Sequence, residues 1–166
     1  MDEHFSGCEI VEIGIQIEKN GKDFYSALSA STGDKRVKEL FEYLAGEEEK
    51  HIAVFKKILD SSCNYEPAAA YPGEYFAYMN ALASQYVFTR KGAGKEMAGK
   101  AGGYTEGIDM GIQFEKESIL YYEGMKRIVP PQDMDVVDKL ISEEKEHLKR
   151  LCEIKEVSEN EECESV

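Results

Sequence analysis

Two short motifs in this sequence have the residue types and spacing of metal ligands. Glu48-x-x-His51 lies in "GEEEKHIAVF", and Glu144-x-x-His147 lies in "SEEKEHLKR", 96 residues later. On a helix each residue advances about 100°, so a carboxylate and an imidazole three positions apart share one face. Two further glutamates repeat in the same manner, Glu18 in "GIQIEKNGKDFY" and Glu115 in "GIQFEKESILYY". Each interrupts an otherwise apolar stripe where a leucine would be expected. One E-x-x-H in a glutamate-rich helix is ordinarily a solvated charge run. Two of them at matching places in a repeat, each paired with a repeated inward glutamate, call for a chemical reason.

The stripes show which way these residues face. One runs Val37, Leu40/Phe41, Leu44, Glu48, His51, Phe55, Ile58, and a second runs Val137, Leu140/Ile141, Glu144, His147, Leu151, Ile154. The other two run Val11, Gly14, Glu18, Gly21, Tyr25, Leu28 and Ile108, Gly111, Glu115, Ser118, Tyr122, Met125. All are buried faces of amphipathic helices. Four carboxylates buried together cannot stay ionised alone, because desolvation costs several kcal/mol for each ion and their repulsion adds to it. Two divalent cations would neutralise them. Carboxylate with imidazole suits iron or manganese, and zinc less well.

The elements that must hold these groups can be read from the breakers. The first helix is expected from Ser6, where Ser6 and Glu9 could form a capping box, to about Ser31. A turn at Gly33 follows, and Asp34 is a reasonable N-cap for a helix running to about Cys63. The third helix is expected from about Tyr104 to Ile128, stopped by Pro130-Pro131, and the fourth from Gln132 to Val157. Residues 64–103, with Pro67, Pro72 and a run of glycines, form a long crossover in which "EYFAYMNALASQYVF" makes a short helix. The expected fold is therefore an all-α four-helix bundle, two helical hairpins joined by one long crossover, with an approximate internal two-fold. Residues 1–157 form this domain and 158–166 an acidic, frayed tail. Glu18 lies 14 residues before Thr32 and Glu48 lies 14 after Asp34, so both sit about 21 Å from the same turn at uniform helical rise. Glu115 and Glu144 are placed similarly about Pro130, and all six groups can meet in one layer.

Other features are weaker. Tyr25 and Tyr122 occupy matching positions two turns after Glu18 and Glu115; each could hydrogen-bond a carboxylate of a neighbouring helix or simply fill the core. Gly14, Gly21, Gly46 and Gly111 fit either relief of crowding beside ligands or close helix packing. "KGAGKEMAGKAGG" fails as a phosphate loop, since G-x-x-x-x-G-K-[ST] would need Gly at Thr89 and Ser or Thr at Glu96, and reads as a mobile linker. Tyr71, Tyr75, Phe76, Tyr78, Tyr86 and Phe88 fit a dimer contact or a cover for their own bundle. His4 lies in an expected frayed terminus without such context.

A formal charge of −13 over 166 residues argues against nucleic acid and anionic membrane as partners. The acidic start "MDEHFSGCE" is unlike an export signal, and no apolar run approaches a membrane span, so a cytoplasmic location is expected. Cys8, Cys63, Cys152 and Cys163 include no C-x-x-C pair for a zinc ribbon or rubredoxin-type iron site, and free thiols are expected in a reducing compartment.

The joint pattern Glu18, Glu48-x-x-His51, Glu115 and Glu144-x-x-His147 resembles the ferritin-like diiron carboxylate superfamily, and the rubrerythrin group most closely. The resemblance covers residues 8 to about 156. It implies two iron ions (manganese or zinc being possible), with Glu18 and Glu115 as carboxylate ligands, Glu48 and Glu144 bridging or capping the pair, and His51 and His147 each binding one metal. It further implies a non-haem diiron oxidoreductase that reduces peroxide or O2 as Fe(II) is oxidised, with an external electron donor and a homodimeric assembly. An iron-binding or storage protein with ferroxidase activity is the alternative. Two departures stand out: rubrerythrins carry an additional glutamate three residues after the third-helix ligand, where this chain has Ser118, and they usually carry a rubredoxin-like iron site, which these cysteines cannot build.

Overall fold

Apolar residues at helical spacing, punctuated by Gly33 and by Pro130-Pro131, divide the chain into the elements that carry the glutamates. The computed structural model describes residues 7–65 and 73–164. Six α-helices and no strand occur among them: α1 (Gly7–Ser31), α2 (Lys35–Ser62), α3 (Gly73–Gln85), α4 (Ala93–Lys100), α5 (Tyr104–Met125) and α6 (Met134–Glu164). Helices α1 and α2 form one antiparallel hairpin, α5 and α6 the other, and α3 and α4 lie in the crossover between them. This is the all-α ferritin-like bundle.

Local chemistry sets the ends. The Asp34 carboxylate accepts from the backbone N–H groups of Arg36 (2.8 Å) and Val37 (3.1 Å), satisfying two donors that the first turn of α2 leaves free. The proposed Ser6 cap lies outside the described residues. Helix α5 ends three residues before Ile128, because Pro130 offers no N–H and biases Val129 away from helical geometry. The chain turns from Lys126 onward and still buries Ile128 and Val129. Helix α6 runs to Glu164, past the expected end at Val157, so the acidic segment is helical at least that far.

The crossover departs most from expectation. Besides the foreseen α3, the glycine-rich segment read as a mobile linker forms α4, packed on α1. Gly94 explains why: a Cβ there would lie 2.0 Å from the Asn20 carbonyl oxygen, so only glycine lets the two backbones approach this closely. The buried Asn20 side chain completes the joint, donating to the carbonyls of Phe88 and Arg90 and accepting from Gly94 N–H. Phe88 packs on Phe114 with ring centroids 4.5 Å apart and edge-on against Phe24 at 5.5 Å. The Tyr75 hydroxyl donates to the Gly124 carbonyl. Much of the aromatic segment thus covers its own bundle, while Tyr78 is exposed; Tyr71 and the Phe76 side chain lie outside the described set.

Cys8 and Cys63 form a disulfide joining the start of α1 to the residue just after α2. The expectation of free thiols is therefore wrong for this pair, because the antiparallel hairpin brings its two open ends together. Cys152 is free, and the Cys163 side chain is outside the described set. No helix among the described residues is long and apolar enough to cross a membrane.

Candidate metal centre

The four bundle helices bring Glu18 (α1), Glu48 and His51 (α2), Glu115 (α5), and Glu144 and His147 (α6) into one buried layer. None of the six is more than 1% exposed. Their donor atoms fall into two overlapping groups, Glu18, Glu48, His51, Glu144 and Glu48, Glu115, Glu144, His147, each with atoms within 4.8 Å of one another. Glu48 and Glu144 belong to both. Two four-ligand sets sharing two carboxylates is the arrangement of a dinuclear centre with bridging glutamates.

Close packing against the ligands keeps this layer dry. Phe55 packs on Tyr122 at 5.0 Å and Phe41 stacks on Tyr25 at 5.9 Å. At Gly21 a Cβ would meet the Phe114 ring at 2.5 Å and the Glu48 carboxyl carbon at 3.3 Å, so this glycine makes room beside a ligand. Gly46, by contrast, faces open space and relieves nothing.

The hydrogen bonds available to Tyr25 and Tyr122 are present, and they cross. Tyr25 on α1 donates to Glu115 Oε1 on α5, and Tyr122 on α5 donates to Glu18 Oε1 on α1, both at 2.5 Å. Burial first, and neighbouring carboxylates second, hold both phenols protonated. Each tyrosine occupies one oxygen of its glutamate and leaves Oε2 free.

The unpaired atoms test whether a metal pair fits. Glu18 Oε2, both oxygens of Glu48, both ring nitrogens of His51, Glu115 Oε2 and Glu144 Oε1 are buried without an aligned hydrogen-bond partner. Buried polar atoms are normally satisfied, and leaving one unmade costs about 1–3 kcal/mol. So many together on hard oxygen and imidazole nitrogen donors is the chemistry of a cation site, and the residues fit two divalent ions.

Without cations the layer settles its charge with protons. Burial opposes ionisation of Glu18, but the close approach of Glu48, the nearby His51 charge and the Tyr122 hydrogen bond overcome it and lower its pKa. His51 is raised despite burial, by Glu18 and by contacts with Glu144 and Glu48. Glu48 and Glu115 are pushed well above 4.5, by burial first and then by Glu18 and Glu144 respectively. Glu144 is raised by burial and Glu18. His147 is lowered, chiefly by burial.

Three further residues at the centre's edge were not foreseen. His51 Nε2 lies 3.2 Å from Glu143 Oε2, and Glu47 groups with His51 and His147 within 4.8 Å. Their signal was available, since a glutamate immediately precedes the first residue of both E-x-x-H motifs, but it resembles a solvated charge run. Tyr86 reaches in from the crossover, donating to the Phe114 carbonyl (2.8 Å) and sharing a 2.8 Å bond with Ser118 Oγ. Ser118 is buried one turn beyond Glu115, so a neutral hydroxyl pair stands where the resemblance places an extra glutamate.

The family model for rubrerythrin matches residues 9–155. No curated protein and no solved structure matches the chain.

Proposed function

The chain belongs to the rubrerythrin family, diiron proteins of the ferritin-like superfamily, and from that premise we propose that it is a non-haem diiron oxidoreductase reducing peroxide or O2. The observation that carries this reading is the pair of four-ligand sets sharing Glu48 and Glu144. When bound, two Fe(II) ions supply two electrons, which with two protons convert one peroxide to two waters.

The chain's own residues do the rest. Glu18, Glu48, Glu115 and Glu144 provide four negative charges that balance two divalent cations. The Tyr122 and Tyr25 hydroxyls hold Glu18 Oε1 and Glu115 Oε1, orienting each free Oε2 inward. The aromatic collar of Phe41, Phe55 and Phe114 excludes bulk water, which strengthens every electrostatic interaction inside. A cleft of about 270 Å³ between α3 and α5 is lined by Leu82, Tyr86, Gln113, Glu117 and Tyr121, and the hydroxyl of this Tyr86 meets Ser118. These 166 residues contain no C-x-x-C iron site, and on this reading the electrons for turnover reach the centre from outside them.

Ser118 favours a second reading, an iron-binding ferritin-like protein with ferroxidase activity. Tied to Tyr86, it supplies no extra carboxylate to exchange on oxidation. Stopped-flow mixing of the Fe(II)-loaded protein with peroxide and, separately, O2 decides between them. Fast oxidation by peroxide with one peroxide consumed per two Fe(II) supports the first reading. Oxidation by O2 alone, with release of Fe(III), supports the second, and no fast oxidation by either excludes both.

A further inference from the structure

Each histidine has a second nitrogen, and the structure shows what faces it. His51 Nδ1 looks into the layer, 2.8 Å from Glu144 Oε1, 3.4 Å from Glu48 Oε2 and 3.5 Å from Glu18 Oε2. His147 Nδ1 likewise lies 3.2 Å from Glu144 Oε2. His51 Nε2 points the other way, to Glu143 Oε2 at 3.2 Å, a hydrogen-bond length without hydrogen-bond alignment. Glu143 is at the bundle surface, its side chain 37% exposed, whereas the imidazole is buried.

We propose that Glu143 and Glu47 are positioning residues for the metal-binding histidines, each accepting the Nε2–H of the histidine on the opposite motif and so fixing Nδ1 as the metal-facing nitrogen. A neutral imidazole that gives one nitrogen to a metal must carry its proton on the other. That N–H is buried on His51 and needs an acceptor, and Glu143 Oε2 is the carboxylate oxygen within reach. The internal two-fold supplies the counterpart. Glu143 precedes Glu144 as Glu47 precedes Glu48, and Glu47 lies within 4.8 Å of His147. The bonds cross between α2 and α6, so each helix orients the other's ligand. A carboxylate acceptor makes the imidazole a stronger donor to the metal and holds its ring plane. The two rings already lie nearly parallel, 20° apart in plane with centroids 5.5 Å apart.

This inference rests on the metal-centre reading, and Zn(II), which is diamagnetic, separates the two. Competition titration would be run on the full chain, on Glu143→Ala, Glu143→Gln and Glu47→Ala. Nitrogen–proton correlation spectra of the Zn(II)-loaded forms are simple, because the chain has three histidines. The unsubstituted protein should bind two Zn(II) and show slowly exchanging Nε2–H signals. Glu143→Ala should keep two sites, weaken one by about 10–100-fold and lose the His51 signal, with Glu47→Ala doing the same at His147. Glu143→Gln, whose amide oxygen still accepts, should retain the signal and most of the affinity. Unchanged affinity and N–H signal in Glu143→Ala would overturn the proposal. So would a third bound ion lost in that variant, since the carboxylate would then itself be a cation ligand. An unsubstituted protein that binds no Zn(II) would instead overturn the metal centre.

Discussion

The two hairpins repeat one pattern of glutamate, E-x-x-H and tyrosine and differ in the electrostatics around it. Each contributes one glutamate, one E-x-x-H and one tyrosine, with crossed hydrogen bonds between α1 and α5 of equal length. Yet in the first half the pKa of Glu18 is lowered and that of His51 raised, which favours the charged pair, whereas in the second burial raises Glu115 and lowers His147, which favours the neutral forms. His51 Nδ1 sits among three carboxylates, and His147 Nδ1 has one within 3.2 Å. Only the first hairpin, among the described residues, carries a disulfide. A repeated sequence thus places the ligands symmetrically, but the proton and covalent bonds that stabilise the metal-free state belong mainly to one side. Two cations would restore the symmetry by replacing the protons.

The largest expected break in this comparison comes from a shared ligand. Glu48→Ala should abolish binding of both ions, because both groups use it, whereas Glu18→Ala and Glu115→Ala should each lower occupancy on their own side and leave a helical, soluble protein. Elemental analysis with circular dichroism checks this, and equal losses in all three variants would remove the distinction between bridging and terminal glutamates. Next in size is the staple. Reducing Cys8–Cys63, which closes a sequence separation of 55 residues, should destabilise the metal-free chain by about 2–4 kcal/mol in urea unfolding. Hydrogen exchange should show the loosening concentrated in α1 and α2.

Protons set the third effect. His51, Glu48, Glu115 and Glu144 have raised folded-state pKa values, so above pH 6.5 the folded chain binds more protons than the unfolded one. Their stabilisation is present at lower pH and is lost as pH rises through those folded values. Glu18, lowered, acts below 4.5, and His147, lowered, acts below 6.5, so neither reverses the sign in this window. Metal-free stability should therefore fall between pH 7 and 9, by about 1.4 kcal/mol per pH unit for each excess proton. The loaded protein should lack this slope, and calorimetry in buffers of different ionisation enthalpy should record proton release on binding. The smallest effect separates the tyrosines. Tyr122→Phe, which removes a bond to the carboxylate whose pKa is lowered, should cost about 1.5–3 kcal/mol in the metal-free state, and Tyr25→Phe, facing the one whose pKa is raised, about 1 kcal/mol. Identical costs would mean the two halves are electrostatically alike.

The bundle and the convergence of four glutamates and two histidines were legible because inward positions recur at helical spacing, and a glutamate in such a stripe stands out against its apolar neighbours. What escaped depends on contacts between distant segments. Helix α4 is only eight residues long with two glycines, and it is held by Gly94 lying flat on Asn20, a contact that no local pattern announces. Cys63 lies five residues beyond the level of Cys8 at uniform rise, so the spacing of the two cysteines did not announce that they meet. Glu47 and Glu143 sit among exposed glutamates, and only the fold shows that these two face imidazoles.

The central claim is that four buried carboxylates on four helices are made tolerable by two cations. Anaerobic equilibrium dialysis of the unsubstituted chain against Fe(II), followed by elemental analysis, tests it most directly. Two ions per chain, retained at neutral pH and released on acidification as Glu48, Glu115 and Glu144 regain their protons, is the predicted result. A folded chain that retains no iron under these conditions would contradict it.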